Sequence, residues 1–113
     1  MYLPNADQAI VEDAKVTEYL LNHAHRFGAS KARFFAAFGF SAASPRGLAE
    51  ALRRHAAEGR VAGVVETGFG PRYEVDGQLD APDGRRPRVR TVWQFDAGGV
   101  APRLITAYPL DEP

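Results

Sequence analysis

The spacing of apolar residues changes once along this chain, at Arg60, and that change divides the sequence into a helical front and a stranded back. In EDAKVTEYLLN (12–22), an acidic start precedes Val16, Tyr19 and Leu20, which fall on one face of a helix. NHAHRFGAS (22–30) reads as a polar, glycine-bearing loop. Ser30 is suited to cap KARFFAAFG (31–39), in which Phe34, Phe35 and Phe38 form a stripe and Gly39 supplies the stop. Ser44 and Pro45 then open a third helix, serine as cap and proline at the first position, where its missing N–H costs nothing. It is expected to end at Gly59, with Leu48, Ala51, Leu52 and His55 on one face.

Beyond Arg60 the period is two. VAGVVE (61–66) is a short strand. In RYEVDGQLD (72–80), Tyr73, Val75 and Leu79 alternate with Arg72, Glu74, Asp76 and Gln78, as in a half-buried strand. APDGRR (81–86) is a turn signal. RVRTVWQF (88–95) sets Val89, Thr91, Trp93 and Phe95 against Arg88, Arg90, Val92 and Gln94. DAGGVAP (96–102) turns the chain into a last strand, RLITAY (103–108). Short connections imply an antiparallel meander. The expected fold is α+β: a single domain over 1–113, with two or three N-terminal helices (about 13–58) packed on a four-stranded antiparallel sheet (about 60–109).

With 113 residues there is room for one core. Equal numbers of acidic and basic side chains, 14 each, give no overall basic field, although a local patch can sit on a neutral protein. The absence of cysteine excludes disulfides, zinc–thiolate sites and cysteine nucleophiles. MYLPNADQAIVED has neither a basic segment nor a long apolar run, and no stretch approaches the roughly 20 apolar residues of a membrane span. A cytoplasmic protein without a membrane partner is expected. Only Lys15 and Lys31 are lysines; every other basic side chain bar the histidines is arginine.

Two constellations could carry chemistry. HAHRFGASKAR gathers His23, His25, Arg26, Lys31 and Arg33 around a helix start, where free N–H groups and the dipole favour anions. Histidine can act there as acid or base, but two histidines without a third ligand make no metal site. The structural alternative is a solvated loop. The second set lies on the sheet: Arg72, Arg88, Arg90 and Arg103, with hydroxyls from Thr91, Thr106 and Tyr108. Such groups can grip a phosphodiester and stabilise developing charge. Glu74 and Asp76 on the same polar side offer the alternative of ordinary cross-strand ion pairs. Trp93 could stack a base, but at an inward strand position it reads as core, and so do Tyr19, Tyr73 and the phenylalanines. GFG at 68–70 lies between strands and is no phosphate loop, and no G-x-S-x-G elbow is present.

AKVTEYLLNHAHRFGASKARFFAAFGF, then GFGPRYEVDGQLDAPDGRRPRVRTVW, then RLITAYPL carry a resemblance that spans Leu3 to Leu110. In that order they resemble an uncharacterised small domain family found at the C-termini of bacterial polymorphic toxins and as free-standing proteins. Through that context the chain resembles the metal-independent ribonuclease toxins similar to barnase, RelE and the tRNA-cleaving colicins, which set helices before a four-stranded antiparallel sheet. In that class the RNA 2′-OH attacks the adjacent phosphate, aided by a base, an acid and groups that stabilise the phosphorane. The resemblance implies His25 or Lys31 for proton transfer, Arg72 and Arg103 on phosphate, and Thr106 and Tyr108 orienting the scissile group. It further implies substrate contacts from Tyr73, Arg90 and Thr91. No metal and no cofactor are implied. The partners implied are RNA and an antitoxin or immunity protein, and an exposed edge strand would also allow a homodimer. The reading from a different class is a catalytically inactive protein-interaction module of the same fold. The two part company on whether Lys31, Arg103 and Thr106 converge in one cleft.

Overall fold

The break in period falls where a long helix hands over directly to the first strand. In the computed structural model, which describes residues 1–26, 28–96 and 98–110, helix α3 (Pro45–Glu58) ends at Gly59 and β1 (Arg60–Thr67) follows at once. β2 (Gly70–Gln78), β3 (Arg88–Gln94) and β4 (Arg103–Pro109) complete a sheet whose strands pair antiparallel in chain order. The α+β meander expected from the sequence is therefore the observed fold. Phe27, expected in the core, and Ala97, expected in a turn, lie outside the described residues.

Beyond a 3-10 turn at Ala6–Gln8, three helical pieces precede the sheet among the described residues. The first begins as a single α-turn, α1 (Asp13–Lys15), and continues as a π-helix over Val16–Leu20. The Leu21 N–H reaches back to the Val16 carbonyl at 2.8 Å, one residue further than an α-helix allows. The wider turn lets Val16, Leu20 and Leu21 all stay buried while Tyr19 is left at the boundary with solvent. α2 (Ala29–Ala37) starts one residue before the expected cap, so Ser30 lies inside the helix rather than capping it. Gly28 takes the cap position without a side-chain cap bond, and His25 holds the turn before it: its Nδ1 accepts from the Gly28 N–H at 2.9 Å and its carbonyl from the Ala29 N–H at 3.0 Å. Proline opens α3 as expected, but the Ser44 side chain makes no cap hydrogen bond.

One sheet face takes the helices. Val75, Val89, Thr91, Trp93, Leu104 and Ala107 are buried there against Leu20, Phe35, Leu48 and Leu52. The core reading fails for Phe69, which is 75% exposed in the β1–β2 turn. The first ten residues form a strap that touches both sheet edges. The Met1 carbonyl accepts from the Val61 N–H of β1, and Ile10 bridges β4 through bonds to Pro102 and Leu104.

A polar chain runs through this apolar layer. The Trp93 indole N–H donates to Thr91 Oγ1 (2.7 Å), and Thr91 stands 3.1 Å from His55 Nδ1. His55 Nε2 lies 2.7 Å from the Val89 carbonyl, which can only accept, so Nε2 carries the proton and Nδ1 accepts from Thr91. Every member is satisfied, so the network holds α3 to β3 without an orphaned group.

Burial pushes the His55 pKa below the ordinary 6.5, against a smaller opposing effect of the Val89 carbonyl. The unfolded chain then binds the extra proton more readily, so this contribution to stability is complete above 6.5 and is lost as pH falls from there. Denaturant midpoints measured from about pH 8 to pH 5 are expected to fall below the histidine range. Thr91→Val, which strips a partner from both Trp93 and His55, is expected to cost about 1–3 kcal/mol in the same assay.

Candidate functional site

The π-helical turn leaves the Tyr19 ring at the seam between the first helical segment, the start of α2 and edge strand β4. Its hydroxyl lies 3.0 Å from Thr106 Oγ1. His25 meets the ring edge-on at 4.9 Å between centroids. Lys15 Nζ sits 5.3 Å and Lys31 Nζ 5.6 Å from the ring centroid, within cation–π range. The only two lysines of the chain thus attend a single aromatic ring.

Two open clefts adjoin this ring. One, of about 410 Å³, is walled by Glu12, Lys15, Glu18, Tyr19, His25 and Arg103. The other, of about 510 Å³, is walled by Lys15, Tyr19, His25, Ile105 and Thr106. A bulge in the β3–β4 pairing, between Val92 and Trp93, leaves Ile105 without a partner residue and re-aims the side chains around it. The Ile10 bridge fixes the start of β4 and brings Arg103 to the first cleft. Arg103 also pairs with Asp96 at 3.1 Å, which holds its guanidinium more firmly protonated than usual.

His25 reaches this place with Nδ1 committed to the backbone. While Nδ1 accepts the Gly28 N–H it cannot also carry a proton, so the neutral ring has its N–H on Nε2. That favours a hydrogen-bond donor over a base. Among the described residues, no group of three or more His, Asp or Glu could hold a metal ion.

Of the residues expected in the site, the structure brings together His25, Lys31 and Thr106 around Tyr19, with Arg103 on the adjoining wall. The others lie elsewhere, for physical reasons. Thr91 is wholly buried and spends its hydroxyl on His55 and Trp93, so it offers nothing to a substrate. Arg90 is clamped by Asp76 at 2.7 and 2.9 Å, with Glu74 3.6 Å away. The clamp raises the Arg90 pKa and holds the Asp76 carboxyl below its usual range. Tyr108, directly across from Arg90, helps hold that guanidinium instead of joining Thr106. Arg72 donates to Gln94 at 3.2 Å on the same polar sheet face. Tyr73 packs edge-on against Phe95, away from the Tyr19 ring. His23 and Arg33 are exposed and line neither cleft.

The residues that sequence reasoning missed are Tyr19, taken for core, and Lys15. Their spacing of four residues and the scarcity of lysine were the available signals; the π-turn that exposes the ring was not legible.

A family model described as "Domain of unknown function (DUF6883)" matches residues 2–111. No curated protein and no solved structure matches the chain. No helix among the described residues is long and apolar enough to cross a membrane.

The close approach of Gly28 to the Tyr19 backbone supports the ring, and a Cβ there would collide with the Tyr19 carbonyl. Gly28→Ala is therefore expected to destabilise by about 1–3 kcal/mol and to shift the Tyr19 ring resonances in NMR spectra. Gly47→Ala, in the first turn of α3 with open space around it, is expected to be neutral or to stabilise by about 0.5–1 kcal/mol.

Proposed function

We propose, for a chain that belongs to the family of the domain of unknown function DUF6883, that it is a metal-independent ribonuclease of the bacterial toxin type with its site at Tyr19. The observation that supports this reading is the convergence of both lysines, an imidazole and a pair of hydroxyls on one ring, with Arg103 on the adjoining wall. Two ammonium groups held near one ring repel each other, and a phosphodiester between them relieves that repulsion. Glu12 and Glu18 on the outer wall offset the charge of Lys15 and Arg103 there and disfavour an unselective polyanion surface.

In this reading Lys15, Lys31 and Arg103 hold the phosphate, and His25 donates a hydrogen bond to it through Nε2. The 2′ oxygen attacks phosphorus as its proton passes into the Thr106–Tyr19 hydroxyl pair and on to water. Lys31 gives a proton to the departing 5′ oxygen. The P–O2′ bond forms as the P–O5′ bond breaks, leaving a 2′,3′-cyclic phosphate and a 5′-hydroxyl. Such a cytoplasmic enzyme would require a neutralising partner, an antitoxin or immunity protein whose acidic groups cover the two lysines.

The second reading, a catalytically inactive interaction module, draws on a different observation. Val64, Val65 and Phe69 are 46%, 53% and 75% exposed on the β1–β2 hairpin, an apolar edge that suits a partner protein or a second copy of the chain.

Purified protein incubated with RNA in EDTA is expected to give fragments ending in 2′,3′-cyclic phosphate and to leave DNA intact. Lys31→Ala and Tyr19→Phe are expected to slow cleavage roughly 100- to 1,000-fold, the first with the unfolding midpoint nearly unchanged and the second at a cost of about 0.5–1.5 kcal/mol for the lost Thr106 hydrogen bond. Expression of the unaltered chain is expected to arrest growth, and Lys31→Ala to relieve the arrest. Intact RNA and harmless expression would remove the nuclease reading and leave the interaction module.

A further inference from the structure

Beyond the Tyr19 clefts, the far end of the sheet carries a recess of different character. It has a volume of about 280 Å³ and is walled by Pro4, Pro71, Tyr73 and Phe95, with Asp96, Gly98 and Gly99 on its rim. Tyr73 and Phe95 stand edge-to-face, with centroids 5.3 Å apart, which fixes the two rings as a stiff aromatic wall. The Gly99 N–H closes a turn onto the Asp96 carbonyl at 2.8 Å, and Gly98 takes a positive φ of 77°. Neither glycine sets a side chain on the rim. At about 280 Å³ the recess falls just below the roughly 300–1,000 Å³ of drug-sized ligand pockets, so it has room for one flat ring system and not for a longer segment.

Among the described residues, the only charged group on the recess is Asp96. Its carboxylate is held by Arg103 at 3.1 and 3.4 Å, and Arg103 is also a wall of the first Tyr19 cleft. One ion pair therefore links the cationic cleft to the aromatic recess. A ligand that draws Arg103 toward a phosphate leaves Asp96 in want of donors, and a base in the recess can supply them.

We propose that the recess is the subsite for a nucleobase, stacked against Tyr73, which Phe95 braces from the core, with its donor edge on Asp96. This rests on the ribonuclease reading of the Tyr19 site and adds the substrate class to it. A carboxylate presents two acceptors side by side, and guanine alone among the four RNA bases matches them with adjacent N1–H and N2–H donors. Adenine and cytosine offer a single amino group there. Tyr73, which lies away from the cationic cluster, thus acquires a role at the base and not at the phosphate. Stacking selects for a flat ring and Asp96 selects among rings.

The test is amide chemical-shift mapping of the intact protein with guanosine, adenosine, cytidine, uridine and, separately, inorganic phosphate. Guanosine is expected to shift the Tyr73, Asp96, Gly98 and Gly99 resonances and to bind at least about tenfold more tightly than the other three. Asp96→Asn, at a well-exposed side chain, is expected to erase that ranking while phosphate still shifts Lys15, Tyr19 and His25. Tyr73→Leu is expected to weaken all four nucleosides together. Nucleosides that leave the recess unperturbed, or a ranking unchanged in Asp96→Asn, would overturn the subsite even if RNA is cleaved. A recess that ranks nucleosides as expected, in a protein that neither binds phosphate at Tyr19 nor cleaves RNA, would uphold the base subsite and remove the nuclease reading instead.

Discussion

His55 donates to the Val89 carbonyl and accepts from Thr91, which accepts in turn from the Trp93 indole, so one imidazole sets how deeply α3 sits on β3. Apolar contacts alone would let a helix rich in alanine slide along a sheet at little cost, because dispersion and burial are not directional. Three hydrogen bonds in a dry interior remove that freedom, since any slide would orphan buried donors. Gly59 and Gly77 complete the fit. A Cβ at Gly59 would press on Val75, and one at Gly77 would crowd the Gly59 backbone and His55, so the end of α3 lies closer to β2 than other residues allow.

With the centre of the sheet fixed from one side, both of its edges are finished by the first ten residues. The strap meets β1 at Val61 and β4 at Leu104, and the chain leaves Ile10 directly into the segment that carries Lys15 and Tyr19. The Tyr19–Thr106 bond then closes the helical front onto the stranded back at its outermost strand. The candidate site is thus a seam: no single element contains it, and each of its cations comes from a different piece of structure. Lys15 comes from α1, Lys31 from α2 and Arg103 from the start of β4.

This origin explains how much of the molecule could be read from its residues. Strand alternation is local and strong, so β2 and β3 were legible to within a residue or two, as were Pro45 and Gly59 at the ends of α3. His55 was legible as a core position from its place beside Leu48 and Leu52. The π-turn was not, because it is a compromise between three buried leucine and valine side chains and leaves no mark in the 3.6-residue pattern. Placed on a regular helix, Tyr19 reads as core; on the wider turn it becomes the hub of a surface cluster. Ser30 misled for a related reason, since the turn that His25 closes onto Gly28 and Ala29 starts the helix one residue earlier and leaves Ser30 inside it. The sheet arginines divided along a line that composition could not draw. Both Arg90 and Arg103 pair with a carboxylate, but Arg90 does so in the middle of the sheet face, whereas Arg103 sits on an edge where the strap steers it toward the seam.

In the proposed function the Tyr19 seam, and not the arginine-rich sheet face, receives a phosphodiester. A crystal structure with a 2′-deoxy guanylyl dinucleotide, which cannot be cleaved by 2′-OH attack, tests this most directly. The expected result is a phosphate within ion-pair distance of Lys15 and Lys31, beside the Tyr19 hydroxyl. A phosphate bound instead at Arg72 or Arg90 on the open sheet face, with the Tyr19 seam unoccupied, would contradict it.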